Sequence, residues 1–135
     1  MVNGYLLDTN IVIEFFRKYA QIQALVASLG NRGPLRMSLI SLAELRTGWS
    51  AEQAAFFLPR LESLVEIEPI TKEIVLAAGQ LQRRYKAQGK PLHTVDTIIA
   101  ATAVAGELCM VTRNLRHFEV MTELDIYRDL PPLTA

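Results

Sequence analysis

Residues 5–11, Tyr5-Leu6-Leu7-Asp8-Thr9-Asn10-Ile11, decide how the chain is read. Three apolar residues end abruptly in a carboxylate, and the apolar spacing that follows is helical. That pattern predicts a short buried strand with an acid at its carboxyl end. Working outward, Leu35–Met37, Leu64–Ile67 and Leu108–Thr112 are further brief apolar runs beside turn signals, with Ile126–Tyr127 a weaker fifth. Helical stripes separate them. Ile22, Leu25, Val26 and Leu29 recur at i, i+3, i+4 and i+7 up to Gly30, and Ile74, Ala78, Leu81 and Tyr85 repeat the stripe towards Gly89. Ser50 and Gln53 fit a capping box, and Pro59 predicts a break or restart at Leu58. Alternating strands and helices imply an α/β fold with a mainly parallel sheet of four to five strands, covered on both faces. Residues 1–135 read as one such domain, with no repeat, linker or low-complexity tract.

Half of the 135 residues are apolar, enough for a core without disulfide staples. The single cysteine, Cys109, sits in the apolar run Leu108-Cys109-Met110-Val111 and reads as a core residue of a reducing compartment. The start, Met1-Val2-Asn3-Gly4-Tyr5-Leu6-Leu7-Asp8, lacks the basic and apolar regions of a signal peptide, and no apolar run is long enough to span a bilayer. A cytoplasmic protein without a membrane segment is the expectation. Fourteen basic residues balance fourteen acidic ones, which argues against a passive coat for nucleic acid. An enzyme that grips nucleic acid through a few arginines and a metal remains compatible with that balance.

Three acids occupy comparable positions. Asp8 follows the first strand, Glu44 lies in Ser41-Leu42-Ala43-Glu44-Leu45 after the second, and Asp96 opens the apolar stretch Val95–Ala105. Asp96 is the sole charge between Lys90 and Glu107, in a helix expected to be buried on most sides, so it needs a partner. In open parallel sheets, ligands gather at the carboxyl ends of strands where strand order reverses. If the three acids converge there, two carboxylates about 5 Å apart repel by roughly 3 kcal/mol at an effective dielectric of about 20. Such a cluster either takes up protons or holds a cation, and hard oxygen donors suit Mg²⁺ or Mn²⁺. Phosphodiester hydrolysis is the natural chemistry of such an ion. Each acid also has a plainer reading: Asp8, Thr9 or Asn10 as helix caps, Ser41 with Glu44 as a capping box, and Asp96 as the acid at the positive end of a helix.

The segments Leu6-Leu7-Asp8-Thr9-Asn10, Ser41-Leu42-Ala43-Glu44-Leu45, Asp96-Thr97-Ile98-Ile99-Ala100-Ala101-Thr102-Ala103 and Val111-Thr112-Arg113-Asn114-Leu115-Arg116-His117-Phe118 resemble, in order, the four signature segments of the PIN-domain nucleases. Within that family they resemble the VapC-type toxins of bacterial type II toxin–antitoxin modules. The resemblance runs from residue 4 to about residue 128. It implies a three-layer α/β/α PIN-like domain and a metal-dependent endoribonuclease in which Asp8, Glu44 and Asp96 hold Mg²⁺ or Mn²⁺ and position the attacking water. It implies products with a 5′-phosphate and a 3′-hydroxyl, a homodimer, and a cognate antitoxin laid across the helices near the site. Thr112 and Asn114 match positions that line the site, and Asn10 is placed to brace Asp8. One position departs: many members carry a fourth acid where this chain has His117, whose neutral imidazole can ligate a metal or hydrogen-bond a bound water but lowers the negative charge of the cage.

Arg46, Arg113 and Arg116 are the candidates for gripping RNA phosphates. Arg83-Arg84-Tyr85-Lys86 is basic, but cations at a helix C-terminus are favoured by the dipole alone, and no function is assigned to it. Trp49, Phe56 and Phe57 are expected in the core or in a partner groove, and His93 as a structural residue before the apolar helix. The segments Ile11–Phe16 and Ala51–Leu64 are candidates for that groove. Two other functions compete with the nuclease. A haloacid-dehalogenase-like phosphatase would use Asp8 as nucleophile, but such enzymes usually carry a second aspartate two residues on, where this chain has Asn10. A non-catalytic PIN-like partner of a DNA-binding antitoxin would act as a regulator without cleaving anything.

Overall fold

A computed structural model of the chain describes residues 3–133. Met1 and Val2, part of the expected leaderless start, lie outside the described residues, as do Thr134 and Ala135. The elements run β1 (Tyr5–Leu7), α1 (Thr9–Phe16), α2 (Ala20–Arg32), β2 (Leu35–Ser38), α3 (Ile40–Gly48), α4 (Ala51–Leu64), β3 (Glu66–Glu68), α5 (Lys72–Ala87), α6 (Thr94–Ala105), β4 (Cys109–Val111), α7 (Leu115–Phe118) and β5 (Asp125–Ile126).

The strands lie in the order β3-β2-β1-β4-β5, and every pair is parallel. Tyr5 pairs with Leu35 on one side and Cys109 on the other, so β1 is the central strand. Gly4 lets the chain enter it: its φ is +145°, and a Cβ there would stand 2.6 Å from the Pro34 carbonyl oxygen. Strand alternation divides the core in two. Leu6 and Met110 join α5, α6 and Phe118 of α7 on one face; Tyr5, Leu7, Cys109 and Val111 join α1, α2, Leu45 and Leu61 on the other. The result is a three-layer α/β/α domain. Burial, with the Asp125 charge beside it, pushes the Cys109 thiol up to about 11, leaving it an inert core residue. Among the described residues no helix is long and apolar enough to cross a membrane.

Several boundaries differ from the sequence reading. Leu64 and Val65 close α4 instead of opening a strand, so β3 is Glu66–Glu68, held to β2 by Arg36 between Glu66 and Glu68. The fourth strand shortens to Cys109–Val111, and the fifth shifts by one residue to Asp125–Ile126. Helix α2 runs through Gly30 to Arg32, because Gly33 bonds back to Leu29 and closes it there. Pro59 neither breaks nor restarts α4. It is exposed, and neighbouring carbonyls are taken by side chains: Phe56 O by the Arg60 guanidinium and Pro59 O by the Ser63 hydroxyl. The Ser50–Gln53 capping box forms in full. Helix α6 is enclosed at Thr97 and along Ile99–Ala103, while Val95 and Val104 near its ends are exposed.

Candidate active site

The sheet reverses its strand order at β1: the chain moves outward through β2 and β3, then returns to place β4 on the other side. Asp8 stands at the carboxyl end of β1 and Thr112 directly after β4, so both occupy the crevice that such a reversal opens. The Asp8 backbone N–H donates to Val111 O at 2.9 Å, which fixes the acid against the neighbouring strand.

Asp8 is 5% exposed. Its Oδ1 accepts from the Thr9 N–H at 2.9 Å; its Oδ2 accepts from the Thr112 hydroxyl at 2.7 Å and the Asn10 amide at 3.3 Å. It also caps α1, so its capping and site positions are one and the same. Burial pushes its carboxyl up from 3.8 to about 6; the Thr112 and Thr9 donors oppose this, and the charges of Asp96 and Glu44 add to it.

Glu44 comes from the exposed side of α3 and accepts from the Thr9 hydroxyl through Oε1 at 2.6 Å. The capping box read at Ser41 and Glu44 does not form. Helix α3 is capped at Leu39 without a side-chain bond, and the Ser41 hydroxyl is buried without a partner. Glu44 is therefore turned away from its own helix and towards α1. Asp96 lies in the first turn of α6, where the half-dipole favours an anion. Its partner is His117, whose Nδ1 stands 2.8 Å from Asp96 Oδ2. Asn114 reaches the same ring nitrogen at 3.3 Å, and its backbone N–H donates to Thr112 Oγ1 at 2.9 Å.

The three acids thus act on one another through space, and each is tied to a protein donor. Among the described residues no three acidic, histidine or cysteine side chains stand close enough together to cage an ion in this arrangement. The donor set is nonetheless that of a hard cation: carboxylate oxygens, one imidazole and no thiolate. Neither Asp8 nor Glu44 has a basic side chain in ion-pair contact among the described residues. A positive charge is what this cluster lacks, and the residues fit a divalent metal on that ground.

The arginines separate. Arg113 is folded inward onto Glu14 of α1: Nε lies 3.1 Å from both carboxylate oxygens, and the buried Nη2 lies 3.0 Å from Oε1, off hydrogen-bonding angle. Its backbone N–H donates to Asn10 Oδ1 at 3.2 Å, completing the brace around Asp8. Arg46 donates to Trp49 O at the end of its own helix. Arg116 lines a hollow of about 130 Å³ with Pro91, Leu92, His93, Asp96 and His117. Sequence reasoning gave His93 a structural part; its ring packs 5.2 Å from that of His117 in the same hollow. Thr9 and Glu14 were also missed as site residues. The readable sign for Glu14 was a lone acid among apolar neighbours, Ile11-Val12-Ile13-Glu14-Phe15-Phe16, the same sign that marked Asp96.

On the α1–α4 side, Phe16, Trp49 and Phe57 meet ring to ring at 5.0 to 6.0 Å, with Phe15 and Phe56 flanking them. Phe56 is 52% exposed, so the cluster is an open aromatic groove. Glu44 shares a neighbouring hollow with Phe16, Trp49 and Phe57.

Comparison with known proteins follows the same lines. The PIN domain profile matches residues 5–123. Ribonuclease VapC10 of Mycobacterium tuberculosis is 32% identical over 120 residues, covering 88% of this chain and 89% of that protein. Ribonuclease VapC1 of Haemophilus influenzae is 31% identical over 125 residues, covering 89% and 93%. Among solved structures, VapBC2 from Rickettsia felis bound to a promoter DNA fragment superposes with a TM-score of 0.82 at 26% identity, covering 91% of this chain and 96% of that one.

Proposed function

The chain belongs to the PIN-domain family, and from that premise we propose that it is a ribonuclease toxin of the VapC type, a Mg²⁺- or Mn²⁺-dependent endoribonuclease restrained by an antitoxin in the cytoplasm. The observation that carries this reading is Asp8, a buried acid at the strand-order reversal, raised to about 6 amid two further carboxylates and without an ion-paired basic side chain among the described residues.

Asp8, Glu44 and Asp96 are the residues that would hold the ion. When bound, such an ion supplies positive charge to the phosphoryl oxygens and makes water a better nucleophile. The chain's own residues do the rest. Thr112 and Asn10 hold Asp8 in one orientation, and Arg113 fixes Asn10 while neutralising Glu14 behind it. Thr9 donates to Glu44 Oε1 and fixes that carboxylate, leaving Oε2 to face the ion. Water adds to phosphorus as the bond to the 3′-oxygen breaks, the water losing a proton to solvent and the departing oxygen taking one up from solvent, giving a 5′-phosphate and a 3′-hydroxyl. His117 orients Asp96, and Arg116 beside it meets the negative charge of the strand.

The aromatic groove between α1 and α4 is where a helical or extended segment of an antitoxin would seat apolar side chains. A second copy of the chain is the other expected partner, and the exposed Val75 and Leu76 of α5 offer it apolar surface.

The test is cleavage of a labelled RNA by the purified chain. Cleavage is expected with Mg²⁺ or Mn²⁺, to vanish in EDTA, and to fall by at least about a hundredfold in Glu44→Gln and Asp96→Asn. Induced expression should arrest growth, and Asp8→Asn should relieve the arrest. Cleavage that persists in EDTA would end the metal-dependent reading. Growth arrest that survives Asp8→Asn would favour the non-catalytic regulator.

A further inference from the structure

The basic run at the end of α5 divides. Arg84 pairs with Glu123, and Tyr85 is buried with its hydroxyl on the same carboxylate, so these two face the C-terminal segment. Arg83 and Lys86 point elsewhere. They are exposed, make no ion pair among the described residues, and line an open groove of about 910 Å³ with Gly79, Gln82, Pro91 and Leu92. The Gln82 amide donates to Thr94 Oγ1 at 3.0 Å, which anchors the Pro91–Leu92 wall to the start of α6. Pro91 and Leu92 also border the smaller hollow that holds Asp96, Arg116 and His117. The groove and the acid site are therefore neighbours across one wall.

We propose that this α5 groove is the track along which the RNA backbone reaches the acid site, with Arg83 and Lys86 on successive phosphates and Arg116 at the point of entry. The proposal rests on the nuclease reading above. The helix dipole accounts for cations in the last turn of α5. It does not account for two of them lining a groove without a carboxylate among its lining residues, in a chain whose basic and acidic residues cancel overall. A polyanion threaded past Leu92 supplies the missing negative charge, and a flexible single strand can follow the bend from groove to hollow.

The test uses the whole chain and a fluorescein-labelled single-stranded RNA of about twenty nucleotides, its binding followed by anisotropy in EDTA across a salt series. Arg83→Glu with Lys86→Glu is expected to weaken binding about tenfold or more. Arg83→Gln with Lys86→Gln, a milder pair that keeps the fold if charge reversal disturbs it, should lower the slope of log affinity against log salt by about 1.4, the value for two lost phosphate contacts on a single strand. Arg32→Glu with Lys72→Glu makes the same change of net charge at exposed positions away from the groove and should bind as the wild type does. Equal losses in both charge-reversed proteins, or affinity within about twofold of wild type for the groove variants, would overturn the track. So would sedimentation showing that the groove variants change oligomeric state and that RNA affinity merely follows, since the face would then be a protein interface. Hydrolysis of bis(p-nitrophenyl) phosphate with Mn²⁺ separates the two readings. If the wild type cleaves neither this diester nor RNA, the nuclease reading fails, while the binding arm still judges the groove.

Discussion

Asp8 destabilises the fold that carries it. Its carboxyl titrates near 6 in the folded chain and at 3.8 in the ordinary case, so the folded state binds that proton more tightly than the unfolded chain does. The stability this gives is complete below about pH 3.8 and is lost as pH rises through about 6, amounting to about 3 kcal/mol. Asp8→Asn keeps an acceptor for Thr112 and removes the charge. In thermal unfolding without divalent ions, the variant should melt above the wild type at pH 7.5, with the gap closing towards pH 4; a variant less stable at pH 7.5 would contradict the electrostatic account. Mn²⁺ should raise the melting temperature of the wild type and leave Asp8→Asn nearly unmoved. At this scale the sequence was readable where an acid stood out from its neighbours, as Asp8 and Asp96 do. It was not readable for Arg113. Whether a guanidinium faces solvent or turns inward depends on Glu14, which is 99 positions away and brought to it only by the sheet.

Helices and strands were legible to different degrees. The apolar stripes of α2 and α5 identified both helices, but their ends depended on backbone detail that a stripe does not carry: α2 continues through Gly30 to Arg32, where the Gly33 N–H bonds back to Leu29. Pro59 was misjudged because a proline on the exposed face of α4 costs one hydrogen bond, while Leu61, fully buried in the core, anchors the helix. The Ser41–Glu44 pair has the spelling of a capping box, yet the chain enters α3 two residues earlier, which releases Glu44 for Thr9. The Ser50–Gln53 box has the same spelling and forms, since Ser50 is an exposed residue at a free helix start. Ser50→Ala should therefore lower stability by about 1 kcal/mol, read as a reduced urea midpoint with an unchanged slope. An equal loss in Ser41→Ala by a capping route is not expected, because Ser41 caps nothing.

The whole molecule is closed by its C-terminal third. The Tyr85 hydroxyl donates to Glu123 and accepts from the Thr122 N–H at 3.0 Å, while Arg84 holds the second Glu123 oxygen. Burial works to raise the Glu123 carboxyl, but the Tyr85 hydroxyl, its own backbone N–H and Arg84 outweigh it and hold it below the usual value. Its contribution is therefore present above the ordinary carboxylate range and lost as pH falls through the depressed value. Tyr85→Phe should cost about 1–2 kcal/mol at pH 7, and less at acid pH, when denaturation is compared across pH. The order of strands was beyond the sequence, because strands of two to four residues carry too little pattern to specify neighbours. That order has a consequence for how the chain comes into the world. The bond between Thr112 and Asp8 spans 104 residues, and β4 must slot beside β1 before it can exist. A polypeptide still on the ribosome has made Asp8 long before the strand that brings Thr112 to it, so a nascent chain that stops short of β4 carries this carboxylate without its hydroxyl donor.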